Sequence, residues 1–256
     1  MEKKFSIQVY SVRDKITDAA AINDVFKKLA SYGYTGIQTA GLYGLTVEEY
    51  AAAAKAAGLE VVGTHTDWKM LLDTEEAVRF HKVLGTTNAG IGGYGPIVQE
   101  DTTMEDILAF TNQANAIGES LKPHGMKFTF HHHAREFAKI GNDTIMDILA
   151  KELNPETTSF VLDTCWLQAG CVSVTEWIQK LAGRVDILHL KDRGVNKGVN
   201  EGCITELGAG NINFKEVIRV GEASGVKHYC YEQDNNHKVD SLESAKQSAE
   251  YFFSLI

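Results

Sequence analysis

The chain has few prolines, few cysteines and no excess of basic residues, and each shortage excludes a class of protein. It contains 3 prolines in 256 residues and no Ser- or Pro-rich linker, so we expect a single domain over residues 1–256. Its 4 cysteines include no C-x-x-C pair, and the charged start lacks the apolar core of a signal peptide. These features predict reduced thiols and a cytoplasmic protein.

The sequence also lacks the features of proteins that bind nucleic acids or membranes. Lys and Arg number 25 against 34 for Asp and Glu, which gives a formal net charge of −9. A phosphate backbone requires a basic surface, so this balance argues against a nucleic-acid partner. No apolar run reaches the roughly 20 residues of a membrane-spanning helix. We therefore expect no partner of either kind, and we interpret the charge as ordinary solubility.

Eight short apolar runs alternate with helix-like stretches along the whole chain. They lie near residues 4–9, 35–40, 59–64, 86–91, 126–132, 158–163, 185–190 and 226–232. Short runs that are apolar on both faces are typical of a buried parallel sheet. Eight strands, each followed by a helix, predict an α/β protein with a (β/α)8 TIM barrel. A doubly wound open sheet is the alternative, but it would have fewer strands.

Several residues give start signals for the helices. Thr46-Val-Glu-Glu49 matches a capping box. Asp18 and Asp101 precede helical patterns of apolar residues, and the remaining predicted caps, for the last three helices, are Thr175, Asn213 and Ser241.

Polar side chains collect at the ends of these runs. In a TIM barrel the active site lies at the carboxyl ends of the strands. The strand-end residues that we expect to bind substrate, or that bear ligand-type groups, are Gln8, Tyr10, Gln38, His65, His131, His133, Asp163, His189 and Glu232. Four of them, on the last four strands, offer imidazole or carboxylate, the ligand types of a divalent metal.

The segment Phe130-His131-His132-His133-Ala134-Arg135-Glu136-Phe137 is the densest in functional groups. Alternate residues of a strand share a face. Because phenylalanines suit the interface with the outer helices, we place His131 and His133 toward the barrel axis and His132 outward. A solvated histidine cluster in a loop is the simpler alternative, but the run directly continues an apolar strand.

Two further residues are candidates for contacts with a substrate. Trp166 follows Asp163 by three residues and could be core or an apolar wall for a sugar ring. Lys191 shares a strand face with His189, and lysine is rarely buried without a partner. We expect Gln8, His65, His133, Trp166 and Lys191 to line the cavity.

Two glycine-rich segments need a separate interpretation. Gly90-Ile-Gly-Gly-Tyr-Gly95 matches G-x-G-x-x-G, but Pro96 follows it and the next helix signal comes only near Asp101. A dinucleotide site requires the motif to open a helix directly, so we interpret this segment as an active-site loop. Thr205-Glu-Leu-Gly-Ala-Gly-Asn211 indicates a turn rather than a phosphate site.

The strand-end motifs resemble those of the sugar phosphate isomerase/epimerase family, which has the xylose isomerase-like TIM barrel. The similarity covers essentially the whole chain and includes the segments His131–Phe137, Leu188–Asp192 and Tyr231–Asp234. It implies a divalent metal, usually manganese, with magnesium, cobalt and zinc as alternatives. By motif position the ligands would be His131, Asp163, His189 and Glu232. His132 replaces an asparagine common in the family, an exchange that should matter little if it points outward.

One departure from the family bears on mechanism. Its ketose epimerases have a glutamate ligand on the fifth strand, where this chain has His131. The resemblance then implies Glu232 as the base that removes a proton next to a carbonyl, with Glu136 or His133 as the second proton shuttle. Return of the proton gives an isomerase or epimerase acting on a small-molecule sugar or polyol. Loss of a leaving group instead gives a dehydratase or lyase acting on a keto-sugar or keto-inositol.

Two other classes stay open at this stage. A nuclease with the same barrel would require several metal ions and a basic surface. A non-catalytic sugar-binding module would have an incomplete ligand set, whereas all four positions are filled here. Assembly into a homo-oligomer is left open by the sequence.

Overall fold

The computed structural model describes residues 4–235 and 237–256, and it confirms the eight predicted strands. They are β1 (Phe5–Gln8), β2 (Gly36–Ala40), β3 (Glu60–His65), β4 (Asn88–Ile91), β5 (Lys127–His131), β6 (Thr158–Asp163), β7 (Val185–Leu190) and β8 (His228–Tyr231). All neighbouring pairs in the sheet are parallel, in the order β3-β2-β1-β8-β7-β6-β5-β4. This order brings β8 beside β1 and forms a nearly closed barrel, which excludes the open doubly wound sheet.

The seam between β3 and β4 is joined largely through side chains. The Thr66 N–H donates to the Gly90 carbonyl at 2.8 Å. The Asn88 amide donates to the Val62 carbonyl at 2.9 Å, and the Gly90 N–H donates to Thr64 Oγ1 at 3.1 Å. These bonds bring the last pair of strands together, so the strand ends form a ring.

The connecting segments are mostly helical and cover the outside of the barrel. The α-helices are α1 (Ala21–Ser31), α2 (Val47–Ala56), α3 (Trp68–Leu72), α4 (Thr74–Leu84), α5 (Met104–Leu121), α6 (Ile145–Glu152), α7 (Thr164–Ala169), α8 (Val174–Lys180), α9 (Phe214–Ala223) and α10 (Ser241–Ser254). Short 3₁₀ helices cover Val9–Lys15, Gly95–Ile97, Lys122–His124 and Ala134–Phe137. Two-stranded hairpins pair Lys139–Ile140 with Asp143–Thr144 and Asp192–Val195 with Gly202–Thr205.

Three of the predicted helix starts agree with the structure. The Thr46 capping box is present, and Asn213 caps α9. Asp18 Oδ1 accepts from the backbone N–H groups of Ala20 and Ala21, the latter being the first residue of α1. Each acceptor satisfies a donor that lacks a partner in the first helical turn.

The other predicted helix starts were wrong by one to three residues. α5 begins after Thr103 rather than at Asp101, because Thr103 and an aspartate three residues on form a reciprocal capping box. α8 is capped by Ser173, two residues before Thr175. Ser241 is the first residue of α10, and the preceding aspartate is its cap.

Apolar side chains form two layers. The larger cluster lies between the strands and the surrounding helices. A smaller cluster of Val62, Val161, Ile187 and Cys230 comes from β3, β6, β7 and β8. Three of its members stand two residues before the ligand-type residues of β6 to β8, so they share a strand face with them. An apolar layer therefore supports the polar strand ends from beneath.

The two glycine-rich segments have the structures that we expected. After β4 the chain forms a short 3₁₀ helix, and α5 begins only at Met104, so no α-helix follows the G-x-G-x-x-G match directly. In the second segment the Asp192 carboxylate accepts from the backbone N–H groups of Gly208, Gly210 and Ile212. Because Asp192 already occupies these donors, the turn offers no phosphate site. Within the described residues, no helix is long and apolar enough to cross a membrane.

Candidate metal centre and cavity

Four ligand-type side chains meet at the carboxyl ends of the last four strands. His131, Asp163, His189 and Glu232 are all buried, and one ligand atom from each lies within 4.8 Å of the others. Asp163 Oδ2 is 3.6 Å from His131 Nε2 and 3.7 Å from His189 Nδ1, and His189 Nδ1 is 2.8 Å from Glu232 Oε2. Residues separated by up to about one hundred positions thus converge because their strands are neighbours in the barrel.

The hydrogen bonds around the two imidazoles fit a metal. His131 Nδ1 lies 3.4 Å from the Gly92 carbonyl, which can only accept, so the ring proton is on Nδ1. Its Nε2 then has a free lone pair and no hydrogen-bond partner among the described residues. His189 is oriented the other way, because its Nε2 contacts Gln38 Oε1 at 2.5 Å and its Nδ1 faces the carboxylates. Such a partner on the remote nitrogen is typical of metal-ligating histidines.

Lys191 supplies a positive charge inside the cluster. Its ammonium group lies 3.0 Å from Asp163 Oδ2, 2.8 Å from Glu232 Oε2 and 3.0 Å from Asp234 Oδ2. Burial alone would lower the pKa of Lys191, but these carboxylates raise it well above its usual range. Burial would likewise raise the pKa values of Asp163 and Glu232, but Lys191 and the histidines hold both well below their usual range. The lysine is therefore charged and both ligand carboxylates are ionised.

The histidine-rich segment divides into three roles. As predicted from strand parity, His131 faces the site and His132 does not. His132 is nevertheless fully buried, and its Nε2 accepts from the Asp163 N–H at 3.0 Å. Its Nδ1 donates to the His133 carbonyl at 3.1 Å. The effect of the exchange of asparagine for His132 stays a prediction, but the ring does hold the backbone of a ligand-type residue.

His133 and Glu136 lie beyond the strand end. His133 lines the cavity, and burial, followed by the nearby His131, lowers the pKa of His133 to about 3. Glu136 is fully buried, and its Oε2 accepts from the His133 N–H at 2.8 Å. Burial raises the pKa of Glu136. Its carboxylate thus orders the turn and is not among the groups that line the cavity.

A cavity of about 350 Å³ opens beside the four ligand-type residues. It is lined by Tyr10, Ala40, His65, Gly92, His131, His133, Glu232 and Asp234. The expected lining was right for His65 and His133 but wrong for Gln8, Trp166 and Lys191, which are not among the lining residues. Each of these three contacts a lining residue: Gln8 bonds to His65, Trp166 packs against His133, and Lys191 pairs with Glu232.

Asp234 is a cavity residue that sequence reasoning did not select. Burial, followed by the charge of Glu232, raises its pKa even though Lys191 opposes the shift. Its position two residues beyond Glu232 was a usable signal, since the parity argument applied to His131 and His133 also predicts a shared face for Glu232 and Asp234 after β8.

The fold agrees with the comparison to known proteins. The family model for the xylose isomerase-like TIM barrel matches residues 26–255, so the chain belongs to this family. An inosose dehydratase from Mesomycoplasma hyopneumoniae is 27% identical over 183 residues, which span 62% of this chain and 60% of that relative. The aligned region therefore covers under two thirds of the relative's length.

Solved structures show the same architecture over nearly the full chain. A sugar phosphate isomerase/epimerase from Parabacteroides distasonis has a TM-score of 0.81 at 20% identity, covering 98% of this chain and 93% of its own. A xylose isomerase-like TIM barrel protein from Mycobacterium smegmatis, solved in complex with magnesium, has a TM-score of 0.74 at 13% identity. It covers 99% of this chain and 96% of its own. At these identities the structural similarities establish the fold alone.

Proposed function

We propose that this protein is a divalent-metal-dependent isomerase or epimerase that removes a proton next to the carbonyl group of a sugar or polyol-derived ketone. The observation that supports it is the buried set of two imidazoles and two carboxylates beside a cavity of about 350 Å³. That volume is within the range of small-molecule sites. A divalent cation, with manganese as our first expectation, would act as a Lewis acid on the carbonyl.

Glu232 is the best-placed base. Of the two carboxylates in the set, Glu232 lines the cavity and Asp163 does not. Lys191 and His189, each 2.8 Å from Glu232 Oε2, keep this carboxylate ionised, so it can accept a proton. The same contacts fix the orientation of the Glu232 carboxylate, so it is already held in place before a substrate binds.

A second group must return the proton. His133 and Asp234 both line the cavity, whereas the Glu136 carboxylate bonds to the backbone of its own turn. We therefore favour His133 or Asp234 over Glu136 for this step. Return of the proton to the neighbouring carbon isomerises the substrate, and return to the opposite face of the same carbon epimerises it.

Dehydration is the second candidate, and one observation favours it. Lys191 joins Glu232 and Asp234, at 2.8 Å and 3.0 Å, on one wall of the cavity. Glu232 is ionised and Asp234 has a raised pKa, so one can take the α-proton while the other protonates a departing hydroxyl group. The similarity to inosose dehydratases agrees with this reaction.

Exchange of the substrate α-proton with deuterated solvent tests the shared first step. Keto-sugars and keto-inositols are incubated with the manganese-loaded protein, and NMR identifies both the exchanged position and any product. Glu232→Gln should lose exchange by a factor on the order of one hundred or more. Glu75→Gln, the same change at an exposed position of α4, should behave as the wild type.

The outcomes separate the alternatives. An isomer or epimer supports the first candidate, and a product that has lost water supports the second. Wild-type exchange rates in metal-loaded Glu232→Gln would remove Glu232 from the reaction. No exchange by the wild type with any substrate would favour the non-catalytic binding module. Several bound zinc ions with DNA cleavage would favour the nuclease.

A further inference from the structure

Two buried glutamines connect histidines on different sides of the site. Gln8 on β1 and Gln38 on β2 are both fully buried. The Gln8 amide nitrogen lies 3.0 Å from Gln38 Oε1 and 3.2 Å from His65 Nδ1, and Gln38 Oε1 lies 2.5 Å from His189 Nε2. The four side chains form one continuous series of hydrogen bonds across β1, β2, β3 and β7.

A backbone group sets the direction of this series. The Tyr10 N–H lies 3.2 Å from Gln8 Oε1, and a backbone N–H can only donate. Its partner must be the amide oxygen of Gln8, so the amide nitrogen faces Gln38 and His65. An amide nitrogen carries two protons and accepts none. Gln8 therefore donates one proton to each neighbour.

His65 must then accept through Nδ1 and carry its ring proton on Nε2. This Nε2 is buried and has no hydrogen-bond partner among the described residues, and His65 lines the cavity. A buried donor without a partner is costly, and an oxygen atom of a ligand would satisfy it. We propose that His65 donates its Nε2–H to a substrate oxygen, and that Gln8 is the positioning residue that holds His65 in this tautomer. The inference rests on the proposed function only in taking the substrate to be rich in oxygen.

The hydrogen bonds of Gln8 also determine the orientation of His189 at the candidate metal centre. The second proton of Gln8 fixes the amide oxygen of Gln38 toward His189, so His189 Nε2 must donate. His189 Nδ1 is then the atom directed at Glu232, 2.8 Å away. The amides of Gln8 and Gln38 thus orient His65 as a donor to substrate and His189 as a ligand. The two fully buried glutamines therefore have a role beyond packing.

The tautomer can be measured without any activity. Long-range ¹H–¹⁵N correlation spectra of the metal-free protein distinguish Nε2–H from Nδ1–H imidazole, with His65 assigned from the resonances missing in His65→Phe. We expect wild-type His65 to be protonated on Nε2 alone. In Gln8→Glu both side-chain oxygens can only accept, so His65 Nδ1 should become protonated. Gln113→Glu, the same change at an exposed position of α5, should leave the His65 signals unchanged.

Two results would overturn the inference. The first is a wild-type spectrum in which His65 carries its proton on Nδ1. This result does not depend on whether the variants fold. The second readout uses a substrate found by the exchange assay, for which His65→Phe should raise KM about tenfold, the loss of one hydrogen bond. His65→Gln, which retains an N–H donor, should recover part of this loss. An unchanged KM in His65→Phe would remove the donor role. Absence of exchange by the wild type would instead refute the proposed function and leave the tautomer measurable.

Discussion

Replacing His132 with asparagine tests whether a buried neutral histidine beneath the site makes folding depend on pH. The ring is fully buried, accepts from the Asp163 N–H and donates to the His133 carbonyl. Burial, followed by the nearby His131, lowers the pKa of His132 to about 3. In the unfolded chain a histidine has a pKa of about 6.5. His132 therefore takes up a proton on unfolding at mildly acidic pH.

The sign and size of the effect follow from this difference. Because the folded pKa lies below the unfolded value, the stabilising contribution is present above about pH 6.5 and is lost as the pH falls toward about 3. Between pH 8 and pH 5 the loss amounts to about 2 kcal/mol. Asparagine does not titrate in this range, and its side-chain oxygen can still accept from the Asp163 N–H. The variant should therefore lose about 2 kcal/mol less than the wild type over the same interval.

The measurement is urea denaturation of the protein in EDTA at pH 8, 7, 6 and 5. His132→Asn leaves a smaller side chain, so its free energy of unfolding should be lower at every pH, and only the slope tests the argument. His124→Asn, at an exposed position, is the matched control and should keep the wild-type slope. Equal slopes in wild type and His132→Asn would refute the assignment of His132 as a neutral acceptor.

Three other changes test the charge cluster, the turn and the barrel seam. Lys191→Met leaves buried carboxylates unpaired, so the free energy of unfolding in EDTA should fall by about 3–5 kcal/mol. Saturating Mn²⁺ should raise the melting temperature of this variant more than that of the wild type, and equal shifts would contradict the pairing. Gly210→Ala places a Cβ against Asp192 Oδ1 and should lower the free energy of unfolding by about 1–3 kcal/mol. Gly95→Ala, whose Cβ meets no atom within 4 Å, should change it little. Thr64→Val removes the acceptor of the Gly90 N–H on β4, so the free energy of unfolding should fall by about 1–3 kcal/mol and hydrogen exchange at this amide should be faster. Unchanged exchange would contradict the role of Thr64 in the seam.

The sequence was most informative where a single strand decides the outcome. Buried parallel strands appear as short apolar runs, so all eight could be located, and strand parity placed His131 toward the site. Helix starts were less well predicted, because several residues near Thr103 could serve as the cap and only the reciprocal pair determines which one does.

Contacts between residues on different strands of the barrel could not be predicted from the sequence. The position of Lys191 depends on Asp234, 43 residues further along the chain, and no local pattern gives that distance. His132 was expected to face away from the barrel axis and does so, but its hydrogen bond to the Asp163 backbone could not be predicted from the strand pattern. A strand pattern predicts the face on which a side chain lies but not which residue from another part of the chain it contacts there.

The exchange of carboxylate for imidazole on the fifth strand can be understood from the charge balance of the whole site. When Asp234 is ionised, the site holds three negative charges, on Asp163, Glu232 and Asp234, and Lys191 contributes one positive charge within 3.0 Å of each. A divalent cation between neutral His131 and His189 would bring the sum to zero. A fifth-strand glutamate would leave the same site one unit negative, and a phosphate group on the substrate would leave it about two units negative. Among the described residues that line the cavity none is Lys or Arg, so we expect an uncharged polyol-derived ketone to bind better than a sugar phosphate.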